Sequence, residues 1–237
     1  MRKYMIVAVA AIAAIAFASV SLAQTPEPQS MSVTVAPKKA GTKKHPKNSS
    51  IVLDIQNNQS DRTLGKLEIT TPKTFRLNAA GLTKCNASVL EASGPSACPR
   101  KSKVGKGTAS ALAGVNGPNP KPLTFDVTAI VTGKSSIVFF LHAHEAPIDV
   151  LSPGKIKGRK LTITVPDAAQ HLGPVWNGLK SIHTTLKAKK GKHFLAATTG
   201  CVKKKHKFST KLTFVDNTIV PNTAGTATVK ASSACSK

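Results

Sequence analysis

Aromatic side chains are scarce in this chain of 237 residues: Phe, Trp and Tyr together make up 4%. The one Tyr is Tyr4 and the one Trp is Trp176. Single-strand nucleic-acid binders stack bases on several exposed rings, and no such platform is present. Acidic residues are also few, ten in all, and scattered; no carboxylate pair stands out of the kind that hydrolyses glycosidic bonds. The four cysteines form no Cys-x-x-Cys pair, which disfavours a zinc ribbon or a dithiol redox motif. There is no Gly-x-Ser-x-Gly nucleophile elbow. No amphipathic helical stretch exceeds about three turns, and no internal repeat is visible. With no catalytic constellation in view, the chain reads as a non-enzyme that needs no cofactor.

One apolar run is present, at the start. Arg2 and Lys3 precede an apolar stretch from Met5 to Val20, and Ser21-Leu22-Ala23 has the small-x-small form of a signal-peptidase site. The run is short for a span of about 20 apolar residues. Residues 1–23 are therefore expected to be a signal peptide, 24–30 ("QTPEPQS") a polar spacer, and 31–237 a single domain. The expected location is secreted or associated with the cell envelope.

Positive charge is abundant. The chain carries 34 Lys and Arg against ten Asp and Glu; without Arg2 and Lys3 the net charge is +22. Lysine dominates, with only Arg62, Arg76, Arg100 and Arg159 beyond the leader. Lysines are hydrated point charges, suited to diffuse attraction rather than bidentate recognition of phosphate. The basic runs are 38–47, 100–106, 187–192 and 203–207. Lys38, Lys39, Lys43 and Lys44 of the first and Lys203, Lys204 and Lys205 of the last are the candidate polyanion-binding residues. If the runs share a face they form one site; if they are spread out, solubility is the simpler account. The expected partners are anionic cell-wall polymers or other polyanions, with no specific nucleic acid and no membrane span after the leader.

The remaining pattern is β. "MSVTVAP" and "IVLDIQ" alternate apolar and polar residues across a charged loop, as an opening hairpin or crossover does. "GKLEITTP", "PLTFDVTAIVTG", "SSIVFFLHA", "RKLTITVP", "SIHTTLKAKKGKHFLAATTG", "HKFSTKLTFVDN" and "TATVKAS" follow, separated by Gly, Pro, Asn and Asp. "DAAQHLGPVWNGL" has room for one helical turn. The expected fold is all-β, a disulfide-stapled sandwich of the immunoglobulin or jelly-roll kind.

In an exported chain an even cysteine count points to disulfides. Spacing favours local pairing, Cys85 with Cys98 and Cys201 with Cys235, among three connectivities. Loop closure gives about 3 and about 4 kcal/mol. After Cys98, "KSKVGKGTAS" places Gly105-Lys106-Gly107-Thr108 in a faint imitation of a phosphate loop. It lacks the Gly-x4-Gly-Lys spacing and the following helix, and the glycines read instead as the start or a bulge of a strand.

The stretches "AGTKKHPKN", "LEASGPSACPRKSKVGKGTA", "LTITVP" and "TTGCVKKKHKFSTKLTF" resemble a family of exported actinobacterial β-rich proteins. That family carries a Cys-Pro-x-x-Ser-Lys-Val-Gly-x-Gly motif and a late Thr-Thr-Gly-Cys. The first motif is matched at Cys98, Pro99, Ser102, Lys103, Val104, Gly105 and Gly107. The resemblance covers nearly all of the chain beyond the leader. It implies a secreted, disulfide-bearing β domain and brings no catalytic residues with it.

Two chemical alternatives remain. His142 and His144, two apart on a strand, share a face and with Glu145 or Asp149 nearby make the best metal candidate; the alternative function is thus a metal-dependent extracellular enzyme. Cys201-Val202-Lys203 resembles the Gly-Cys segment of cell-wall cysteine transpeptidases. Thr199 stands in place of their histidine, however, and a bond to Cys235 would consume the thiolate. Trp176 is the lone aromatic candidate for stacking on a carbohydrate.

Overall fold

The computed structural model describes residues 29–59, 62–172, 174–216 and 224–237. The expected leader and residues 24–28 lie outside them. Eleven strands follow one path through a large sheet: β1 (Gln29–Ala36), β2 (Ser50–Asn57), β3 (Thr63–Thr70), β4 (Lys103–Ala113), β5 (Lys121–Val131), β6 (Ser136–Ala143), β7 (Asp149–Lys157), β8 (Lys160–Thr164), β9 (Val175–Leu186), β10 (Lys205–Val215) and β11 (Gly225–Ala234). Their spatial order is β1-β2-β9-β4-β5-β6-β7-β8-β3-β10-β11, and every neighbouring pair is antiparallel.

Eleven strands that alternate in direction leave the first and last pointing the same way, so any seam between them is parallel. That is the geometry found where β1 and β11 meet: Lys39 and Ser236 form a parallel bridge. The Ser236 amide donates to the Lys38 carbonyl and the Ala40 amide to the Ser236 carbonyl, both at 2.9 Å, and the Val35 amide donates to Ser233 Oγ at 2.9 Å. The expected all-β, disulfide-stapled fold is present, with its large sheet curled into a barrel-like form. Inward positions are apolar, as Ile51, Leu53 and Ile55 are on β2. Outward positions on β10 are Lys205, Lys207, Ser209, Lys211 and Thr213. This is the reverse of the apolar-out pattern of a membrane-spanning barrel. No helix among the described residues is long and apolar enough to cross a membrane.

Because each strand crosses the barrel, successive connections alternate between its two ends. Both disulfides lie at one end, which we call the disulfide end; the other is the far end. Cys85–Cys98 brackets a short helix, α1 (Ala87–Ser93), capped by the Asn86 side chain on the Ser88 amide. Cys201–Cys235 packs with Ala40 beside the seam. The interior at this end is plugged by Phe75 and Leu77, which belong to a short strand paired with Ala196–Thr198. Phe75 meets Phe208 edge-on at 5.6 Å.

Of three local details, two depart from the sequence reading and one, the bulge in β4, agrees with it. β1 takes in Gln29 and Ser30, expected in the spacer; the Gln29 amide reaches Asn57 Oδ1 at 3.1 Å and continues the ladder. β4 is a central strand flanked by β9 and β5, with an irregularity between Lys103 and Gly105 where a bulge is expected. β7 contains Pro153-Gly154, a pair that reads as a turn. Pro153 stands one residue beyond the last pair of the β7–β8 ladder, Gly154 with Ile163, where no amide is needed on that side.

Candidate functional site: a basic end and an apolar interior

Lysines are sorted by the barrel. Of the 32 Lys and Arg beyond the leader, nineteen lie in segments at the disulfide end: five in 37–49, five in 71–102, one each in 132–135 and 158–159, six in 187–204, and Lys237. The five connections at the far end hold one, Arg62. Acidic residues run the other way. Glu91 is the one acid in the segments of the disulfide end, whereas Glu145, Asp167 and Asp216 lie in described connections of the far end. The remaining twelve basic residues are on strands.

The two candidate runs are brought together by the chain terminus. The Cys235 amide donates to the Lys204 carbonyl at 2.9 Å, and the next amide, that of Ser236, donates to the Lys38 carbonyl at 2.9 Å. Lys38, Lys39, Lys43, Lys44, Lys203, Lys204 and Lys205 are all exposed, so the seam carries exposed lysines on both flanks. Lys203 and Lys204 occupy a two-residue turn closed by a bridge between Val202 and Lys205, with φ of 51° and 58°. Both are left-handed, the conformation that Asn-Gly adopts in a type I′ hairpin turn and that costs other residues about 1–2 kcal/mol each. A second basic patch lies on the outer face of β6, β7 and β8, with β3, β10 and β11 between it and the seam. A broad concavity of about 820 Å³ includes Lys155, Lys157 and Lys160. Lys160 also bonds Glu68 at 3.1 Å, and this hydrogen bond holds the Glu68 carboxyl below its ordinary value.

The far half of the interior is different. It holds an apolar cavity of about 130 Å³. Its origin is β4. Cross-strand partners share a face, and Gly105, Gly107, Ala109 and Ala111 pair with the inward Leu186, Thr184, Ile182 and Leu179 of β9. At the two glycines the strands lie so close that a Cβ would strike β9, meeting Leu186 at Gly105 and the His183 carbonyl at Gly107. At Ala109 and Ala111 a methyl group is all that reaches inward, and the space beside them stays open. A single helical turn, α2 (Asp167–Gln170), lies over the far end, and Ala168 and Ala169 line the cavity. The polar groups facing it are Ser152, Asn177 and Thr184. Asn177 Nδ2 donates to the Ala169 carbonyl at 3.1 Å, while its Oδ1 is shut off from solvent without a hydrogen-bond partner. Sequence reasoning did not find this site; the alternation of Gly and Ala on one face of "GKGTASALA" is the signal that held it.

His142 and His144 do not converge. His142 Nδ1 lies 2.7 Å from Asp149 Oδ1, and His144 Nε2 lies 3.2 Å from Asp126 Oδ2, two separate and exposed pairs. Among the described residues no group of three or more His, Cys, Asp or Glu is arranged to hold a metal ion. The Cys201 sulfur is bonded to Cys235, leaving no thiol for transpeptidase chemistry. Trp176 is half-buried at the far end, tilted against His171 at 4.7 Å. Comparison of the chain with protein-family models, curated proteins and solved structures gave no match.

Proposed function

We propose that this is an exported, non-enzymatic protein that associates with anionic polymers of the cell envelope through its disulfide end. One observation carries the reading: nineteen basic residues occupy the segments of that end, against one in the connections of the other. A lysine surface kept only for solubility has no reason to be sorted this way. The two disulfides fit an oxidising compartment outside the cytoplasm, and the apolar segment at residues 5–20 followed by Ser21-Leu22-Ala23 supports export. The resemblance to exported actinobacterial β-rich chains agrees with both.

The binding expected of such a surface is diffuse and salt-sensitive. Each lysine that neutralises an anionic group releases a counterion, so a protein making six or more such contacts loses about a thousandfold in affinity between 50 and 200 mM salt. Retention on a phosphate- or uronate-bearing polymer across a salt series tests this, with neutral dextran as the comparison. Replacing Lys203, Lys204 and Lys205, or Lys38, Lys39, Lys43 and Lys44, with Gln should each weaken retention and flatten its salt dependence without lowering the melting temperature. Equal retention on dextran, or binding indifferent to salt, would overturn the reading.

A further inference from the structure

We infer that the far half of the barrel interior is a binding site for a small neutral amphiphile, an apolar body bearing one hydroxyl that donates to Asn177 Oδ1. The cavity sets the size. At about 130 Å³ it is comparable to the apolar cavity of about 150 Å³ that takes up benzene, so it holds roughly six or seven carbons, as a whole small molecule or as the end of a longer one. The walls set the polarity. Ala109, Ala111, Phe125, Phe139 and Leu179 contribute carbon, and no charged side chain lines the space. An ionised carboxylate or amine would be stranded there.

Asn177 sets the one polar contact. Its amide nitrogen is held by the Ala169 carbonyl, which leaves the oxygen as an acceptor. That oxygen has no hydrogen-bond partner and no surface open to water, so a ligand hydroxyl restores the missing bond when the Asn177 side chain turns its oxygen into the cavity. Access is from the far end, where Leu123, Leu141, Ile148 and Ile163 line the cavity but are only partly buried. The cavity therefore reaches towards solvent on the side away from the lysines. This inference does not depend on polymer binding: an interior site is compatible with either fate of the basic end.

Toluene and phenol separate the two requirements, since they share one shape and differ by methyl against hydroxyl. Titrations of the purified protein, followed by calorimetry and by NMR shifts of Ala109, Ala111 and Asn177, should show saturable binding of one molecule per chain for both. In Asn177→Leu, which keeps the volume and removes the acceptor, the ratio of phenol to toluene affinity should fall on the order of tenfold. Ala111→Phe should abolish binding of both by filling the cavity. Ala109→Phe, two residues along the same strand and also lining the cavity, does the same and serves if the first variant does not fold. Failure of both compounds to bind the unmodified protein would overturn the site. So would an unchanged phenol-to-toluene ratio in Asn177→Leu, or binding that survives in a folded filling variant.

Discussion

At the scale of single residues, two sites give up stability, a two-residue turn and a buried histidine, and for different reasons. Lys203 and Lys204 sit in left-handed conformations that suit Asn and Gly. Strain of this kind gathers where something other than stability selects the residue, and here the turn projects two ammonium groups beside the seam. The double variant Lys203→Asn, Lys204→Gly should raise stability by about 1–2 kcal/mol in urea unfolding and at the same time weaken retention on an anionic polymer. A variant that lost retention without gaining stability would show that the turn carries no such strain. His206 is the second site. It is fully buried, edge-on to Phe75 at 6.1 Å, with Nδ1 at 3.5 Å from Thr74 Oγ1 and Nε2 unpaired. Burial disfavours the imidazolium and pushes its pKa below the ordinary value. The unfolded chain then takes up a proton before the folded one does. Stability should therefore fall as pH drops through about 6.5 and level off only below the depressed folded value. Urea midpoints between pH 7.5 and 5 should show that slope, and His206→Phe should flatten it; an unchanged slope in the variant would assign it to other groups.

At the scale of elements, alternation made most strands legible. β1, β2, β3, β5, β6, β8, β9, β10 and β11 each contain a run whose β-branched and apolar residues recur at every second position, and their pairing follows from burying one face. β4 is legible only at its start, where the glycines read as the beginning or a bulge of a strand, and β7 does not read as a strand; the two share a cause. β4 has glycine and alanine where a strand pattern expects Val or Ile, and β7 has Pro153-Gly154 in its middle; both offer local chemistry that reads as turn or bulge. What rescues them is not local. β4 is held between long neighbours on either side, and β7 meets Pro153 where the ladder with β8 has already ended. The disulfides were legible because spacing alone favoured local closure. The role of Cys201–Cys235 beside the β1–β11 seam was not, because a seam exists only once the sheet has closed. The basic end was hidden for a related reason. Lysine runs fall in the odd-numbered connections of the chain, and strand parity assigns all of those to one end. Parity belongs to the whole count of strands and has meaning only once the sheet has closed, so no local reading of a lysine run tells which end it occupies.

At the scale of the whole molecule, the two ends are far enough apart to act independently. β5 has 11 residues, which spans about 35 Å along the strand and about 25 Å along a barrel axis at the usual tilt. The Debye length at physiological salt is about 8 Å, so the acids of the far end do not offset the lysines of the disulfide end. In the proposed association a negatively charged surface would meet an oriented particle, basic end down, with the mouth of the apolar cavity facing away. Lysine acetylation read by mass spectrometry, with and without an anionic polymer, tests the orientation. Lys189, Lys190, Lys203 and Lys204 should be protected several-fold by the polymer. Lys121, the first residue of β5 at the far end, and Lys180, near the far end of β9, should react at an unchanged rate. High salt should erase the protection, because screening removes the attraction. Toluene affinity measured on the polymer-bound protein should equal that of the free protein, since the cavity and the charged surface share no residue of the disulfide-end segments. Uniform protection of all these lysines would mean that the polymer wraps the barrel rather than meeting one end. Loss of toluene binding in the polymer-bound state would mean that the two ends communicate through the sheet.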